Sequence, residues 1–202
     1  FIPAVLWCFD RTLGLRLLIF LSVSGAINEA LKIFFHAPRP YWISPDVTAY
    51  TSMTSFGLPS GHAQNAVVFF GSIAAFARKW WIGIACIVII FFISLSRIYQ
   101  AVHFPTDIIA GWGIGILLLL VLLYLEKPVL ERTRGRSFPA QVLMAFGFSL
   151  LLIGITSIAL FVTGHWQVPA EWSIQAVAQT GVPLDPFAHK DTWMTAGLIF
   201  GG

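Results

Sequence analysis

Charge is what this 202-residue chain has least of: 10% of its residues are Asp, Glu, Lys or Arg, against 57% that are hydrophobic. Soluble domains carry about 25% charged residues, and a mean hydropathy of +0.82 excludes an ordinary water-soluble fold. Cysteine is nearly absent. Cys8 and Cys86 lie in apolar surroundings at no disulfide or metal spacing, so both read as small core residues. No Asp/Glu/His cluster resembles a binuclear metal site, and no metal or other cofactor is implied. The net charge of +3 says nothing for a nucleic-acid partner and is read through membrane topology. The chain opens on Phe1 and closes on "GLIFGG" within an apolar run, so both ends of a longer protein are expected to be missing.

What is present in quantity is apolar sequence. Runs near 20 residues cross a hydrocarbon core of roughly 30 Å as helices, and five are readable at residues 12–35, 61–77, 80–98, 105–125 and 140–163. Partial segments stand at 1–9 and from Thr192 onward. The expected fold is all-α, a polytopic transmembrane helix bundle. Arg11, then Arg78 and Lys79, then Lys127, Arg132, Arg134 and Arg136 occupy every second connection, which makes those connections cytoplasmic. Residues 36–60, 99–104 and 164–191 are then extracytoplasmic, with Tyr41, Trp42, Trp166, Trp172 and Trp193 as an interfacial aromatic belt. Gly111, Gly113 and Gly115 of "GWGIG" are expected to let helices approach closely.

Polar side chains at membrane depth cost several kcal/mol and are functional candidates by default. Here they gather at one face. Lys32 closes the first full helix and Arg39 follows in "KIFFHAPRP"; His62 opens the second helix, Arg97 ends the third in "SLSRIYQAVHFPTD", His103 follows, and Asp107 opens the fourth. Snorkelling explains a terminal Lys or Arg, and the helix dipole explains a first-turn Asp. Neither predicts three cations and two histidines on the same face, while the opposite helix ends carry basic residues and no histidine.

The chemistry these groups support is narrow. Arginine forks and a lysine suit a tetrahedral oxyanion, phosphate above all. In "GLPSGHAQNAVVFF", Ser60 can cap the helix that Gly61 begins, leaving its first N–H groups and positive dipole end facing an anion. Of two histidines, one can attack phosphorus and the other protonate the departing oxygen, with a carboxylate fixing a ring tautomer.

Together, K-x6-R-P (Lys32 to Pro40), P-S-G-H (Pro59 to His62) and S-R-x5-H-x3-D (Ser96 to Asp107) resemble the type 2 phosphatidic acid phosphatase (PAP2) superfamily, in family order and without departure at a defining position. The resemblance implies a metal-independent phosphohydrolase with a six-helix core, N-terminally incomplete here. It implies His103 as nucleophile, Asp107 as its orienting partner and His62 as general acid and later water-activating base. Lys32, Arg39, Ser60, Gly61 and Arg97 would be the phosphate ligands. The expected division is a catalytic membrane domain at 1–127 and, at 128–202, further transmembrane helices with an extracytoplasmic loop. The expected substrate is a lipid phosphate or isoprenoid diphosphate held beside the bilayer, with the site on the extracytoplasmic side of a bacterial inner (plasma) membrane. Alternatives are a lipid phosphotransferase sharing the first half-reaction, a sugar phosphatase of glucose-6-phosphatase type suggested by "RPYW" (Arg39 to Trp42), and a non-catalytic lipid-phosphate binder. Oligomeric state is not readable.

Overall fold

The apolar runs fold as helices. The computed structural model describes residues 10–163 and 165–187 and is all-α across them. In order they are α1 (Arg11–Phe35), α2 (Pro40–Ile43), α3 (Gly61–Ala77), α4 (Trp80–Tyr99), α5 (Pro105–Arg134), α6 (Phe138–Thr163) and α7 (Ala170–Thr180). The segments expected at 1–9 and from Thr192, with Cys8 and Trp193, lie outside the described residues. Local chemistry sets the ends. Asp10 caps α1 by accepting from the Leu13 N–H at 2.8 Å, proline opens α2 and α5, and Ser60 caps α3.

Four of these stretches are long and apolar enough to cross a membrane: Thr12–Ile43, Trp80–Tyr99, Pro105–Arg134 and Phe138–Thr163. The chain is an integral membrane protein. The fifth expected run, α3, has 17 residues and is the helix the others enclose, packing against α1, α4 and α5. α1 packs in turn on α6. Close approach of α3 and α5 depends on two glycines: a Cβ on Gly111 would stand 2.7 Å from the Ser60 carbonyl oxygen, and one on Gly115 would stand 2.9 Å from the Gln64 carbonyl and from Val67 Cβ. Gly113 departs from the expectation, since it has nothing within 4 Å. Two steps of 100° separate Gly111 and Gly113 on the helix, so only one of them can face α3.

Two further expectations change. The basic connection placed after residue 125 is helical through Arg134, so residue 127 lies inside α5. Hydropathy marks where an apolar run ends, whereas Lys, Arg, Glu and Leu all favour continuing a helix. Pro128 is carried inside it, at the cost of one backbone hydrogen bond.

The aromatic belt is the second change. Tyr41 and Trp42 are 1% and 0% exposed, in a cluster with Phe56 that Trp166, Trp172 and Phe187 cover. Ring centroids lie 5.6 Å apart for Phe56 and Trp166, 5.8 Å for Trp166 and Trp172, and 6.3 Å for Trp42 and Trp172. The Tyr41 hydroxyl donates to the Met53 carbonyl at 2.8 Å and accepts from the Met53 N–H at 2.9 Å. Gln179 on α7 donates to the Pro45 carbonyl at 3.2 Å. Segment 165–187 therefore covers the loop at 36–60, and aromatics that resemble interfacial anchors in sequence are its core.

The glycine geometry separates two substitutions about 3 Å of helix apart. Gly115→Ala should destabilise the detergent-solubilised protein by about 1–3 kcal/mol through overpacking, while Gly113→Ala should be neutral or stabilise it by up to about 1 kcal/mol. Thermal unfolding of the two variants beside the parent checks this, and equal effects would contradict the packing described.

Candidate active site

The site is built at one end of the bundle by four segments. Lys32 projects from the last turn of α1 and donates to the Phe56 carbonyl at 2.7 Å and the Ser55 hydroxyl at 3.4 Å. Arg39, 1% exposed, reaches the same loop. Its Nε donates to the Ser55 carbonyl at 2.7 Å and its Nη2 to Ser55 Oγ and the Phe56 carbonyl, both at 3.1 Å. Its Nη1 donates to the Val102 carbonyl at 2.8 Å and stands 3.3 Å from His103 Nε2. A guanidinium has five N–H groups, and each of those on Arg39 has a protein acceptor in reach.

His103 follows a turn in which Ala101 adopts φ 58°, a left-handed conformation that costs an alanine about 1 kcal/mol or more. The Val102 N–H, bonded to the Arg97 carbonyl at 3.2 Å, helps hold that turn. His103 is 2% and Asp107 3% exposed. His103 Nδ1 faces Asp107 Oδ2 at 3.3 Å, and the same oxygen accepts from the Phe104 N–H at 2.9 Å, closing the first turn of α5 as a capping acid does. Since a carboxylate only accepts, the neutral ring carries its proton on Nδ1 and turns the Nε2 lone pair toward Arg39.

The Pro-Ser-Gly-His turn lies against this floor. The Ser60 N–H donates to the Asp107 carbonyl at 3.0 Å, and Ser60 Oγ accepts from the Ala63 N–H at 3.4 Å. His62 is exposed at the mouth, its Nε2 3.4 Å from Arg97 Nη1. The candidate site residues are thus at one end of the bundle, linked in a chain from Lys32 through the Ser55–Phe56 backbone, Arg39, His103 and Asp107 to Ser60, with the His62–Arg97 pair above. Among the described residues no group of three or more His, Cys, Asp or Glu is placed to hold a metal ion.

A family model described as the PAP2 superfamily matches residues 13–131. The chain belongs to the PAP2 superfamily. Phosphatidylglycerophosphatase B of Bacillus subtilis is 31% identical over 54% of this chain and 55% of its own length. Undecaprenyl-diphosphatase of Sulfolobus acidocaldarius is 31% identical over 56% of each. The glucose-6-phosphatase catalytic subunit 1 of Felis catus is 26% identical over 95% of this chain and 60% of its own. The crystal structure of a transmembrane PAP2-type phosphatidylglycerolphosphate phosphatase from Bacillus subtilis superposes with a TM-score of 0.53 at 26% identity, covering 66% of this chain and 67% of that one. The chain spans about half the length of the first two relatives.

PAP2 motifs do not include every polar residue that shapes this site. Ser55 receives Lys32 and Arg39, and Ser24, Asn28 and Gln64 form a buried network beneath the turn. A signal for the network was there: Ser24, Asn28 and Lys32 stand at intervals of four on one apolar helix, a polar stripe along a single face. Ser55 had none: its hydroxyl accepts from Lys32 and Arg39 and its carbonyl from Arg39, but a serine in a loop does not stand out in sequence as a polar residue in an apolar helix does.

Burial is the main cause that brings the His103 imidazole down to about 4; the Asp107 hydrogen bond acts the other way, and Arg39 and Lys32 add to the lowering. A ring whose folded pKa lies below its unfolded value, about 6.5, contributes stability that is present above pH 6.5 or so and is lost as the pH falls toward 4. Histidine-selective 15N NMR at pH 6 should therefore find His103 neutral with its proton on Nδ1. A charged ring at that pH would contradict the geometry.

Proposed function

We propose that this chain is the catalytic part of a metal-independent membrane phosphatase that hydrolyses a lipid phosphate or isoprenoid diphosphate through a phosphohistidine. The observation that carries the reading is the buried Asp107–His103–Arg39 array, in which a neutral imidazole presents a lone pair to a cation. In the first step His103 Nε2 bonds to phosphorus as the bond from phosphorus to the leaving oxygen breaks, and His62 gives that oxygen a proton. When the Nε2 lone pair is taken by phosphorus, the Arg39 Nη1–H that faced it is released to a phosphoryl oxygen. Arg39 then favours the transition state over the resting site, which is the kind of interaction that accelerates chemistry. In the second step water attacks phosphorus, the P–N bond breaks, His62 takes the water's proton, and inorganic phosphate leaves. Lys32, Arg97, Ser60 and the Gly61 backbone complete the phosphate cradle in this reading.

The lipid substrate class rests on the membrane setting and on the names of the bacterial and archaeal relatives. A sugar phosphate is the second reading, favoured by the match to a glucose-6-phosphatase subunit over 95% of the chain and by Arg39–Trp42. Phosphate release from isoprenoid diphosphates, phosphatidylglycerophosphate, phosphatidic acid and glucose 6-phosphate separates the two.

The mechanism is tested by single-turnover phosphoenzyme formation in EDTA. His103→Ala should abolish it with every substrate. His62→Ala should cost about 10²-fold more with a lipid alkyl monophosphate than with p-nitrophenyl phosphate, because a phenolate departs without a proton and an alkoxide does not. Equal losses for the two substrates would remove His62 from the acid role, and activity that EDTA abolishes and magnesium restores would remove the metal-free mechanism.

The orientation we propose places the site on the extracytoplasmic side of a bacterial inner membrane, since Arg78 and Lys79 lie at the far end of α3 from His62. In a background lacking Cys8 and Cys86, Asp46→Cys should react with a membrane-impermeant thiol reagent in intact cells and Arg136→Cys should not. Both positions are exposed, so reversed labelling would move the site to the cytoplasm.

A further inference from the structure

Asn28 is 6% exposed on α1, one turn before Lys32. Its Nδ2 donates to the Gln64 Oε1 at 2.9 Å and to the Pro59 carbonyl at 3.3 Å. Its amide orientation is fixed chemically, because the Pro59 carbonyl can only accept. The same logic fixes Gln64, whose Nε2 meets the Ser24 carbonyl at 2.8 Å and Ser24 Oγ at 2.9 Å. Ser24 Oγ continues to Asn65 Oδ1 at 2.7 Å. The two hydrogens of one amide are thereby spent on both flanks of the turn, residue 59 before it and residue 64 after it. The Asn28 side-chain oxygen Oδ1 stands 2.7 Å from where a Cβ on Gly61 would lie.

We propose that Asn28 is a positioning residue for the reaction: it clamps the Pro59–Gln64 turn to the helix that bears Lys32, and so fixes where His62 stands relative to the phosphate cations. The inference rests on the proposed role of His62. Apolar packing alone leaves a turn free to slide along a neighbouring helix, whereas an amide with both hydrogens engaged at low dielectric sets one register. It also gives Gly61 a reason that differs from close approach to phosphate. Glycine is required because the Asn28 oxygen fills the space where a side chain would go.

A double-mutant cycle tests both halves. Gly61→Ala alone should lower phosphoenzyme formation by about tenfold or more, since small displacements at a reacting centre are costly, and should lower the thermal midpoint. On an Asn28→Ala background, which vacates the space, the added Gly61→Ala loss should shrink to about threefold or less in rate, with little further change in midpoint. The same factor in both backgrounds would overturn the clamp and return Gly61 to direct phosphate contact. For catalysis, Asn28→Ala should slow the first step about tenfold more with an alkyl monophosphate than with p-nitrophenyl phosphate, because a displaced acid matters only to a poor leaving group. Equal losses would reduce Asn28 to a structural residue. If Asn28→Ala does not accumulate folded, Asn28→Ser is put through the same comparisons with the same deciding outcomes. The thermal cycle reads the clamp without reference to His62, so failure of the proposed mechanism and failure of the clamp are told apart.

Discussion

The constraint on which this structure turns is the burial of one guanidinium. Arg39 is 1% exposed beside a membrane-spanning bundle, where taking a cation from water costs several kcal/mol unless its donors are matched. The matching is complete, and it determines the surroundings. Three acceptors come from Ser55 and Phe56, one from Val102 and one from the His103 ring. Two connections far apart in sequence are therefore pinned to one side chain, and the nucleophile candidate is the last of its partners. Lys32 shares the Phe56 carbonyl, so two cations converge on one backbone stretch.

Much of this was legible in the sequence because membrane depth makes polarity conspicuous. Lys32, Arg39, His62, Arg97, His103 and Asp107 stand out against apolar runs, and their alternation with basic connections puts them on one face. What sequence could not supply was which polar groups serve each other. Arg39 reads as a phosphate ligand by type, yet its donors are all engaged by protein at rest, a fact visible only once Val102 and Ser55 are in place. The aromatics fail for a related reason. Tyr41, Trp42, Trp166 and Trp172 flank apolar segments as interfacial anchors do, and only the docking of α7 on α2 distinguishes a belt from a core. Helix α5 runs past the apolar stretch to Arg134: hydropathy reports the bilayer boundary and not the helix boundary.

The same contacts bear on where the catalytic unit ends. The family match stops at residue 131, and the motifs stop at Asp107. Yet Phe56, whose carbonyl receives both Lys32 and Arg39, is 0% exposed because Trp166 and Phe187 pack against it. Burying an aromatic ring stabilises by about 2–3 kcal/mol, and that contribution enters the position of the carbonyl on the same residue. Segment 165–187 is consequently part of what orders the loop that receives Lys32 and Arg39. The aromatic cover lies outside the motifs, yet it determines how firmly the backbone carbonyl shared by the motif cations Lys32 and Arg39 is held.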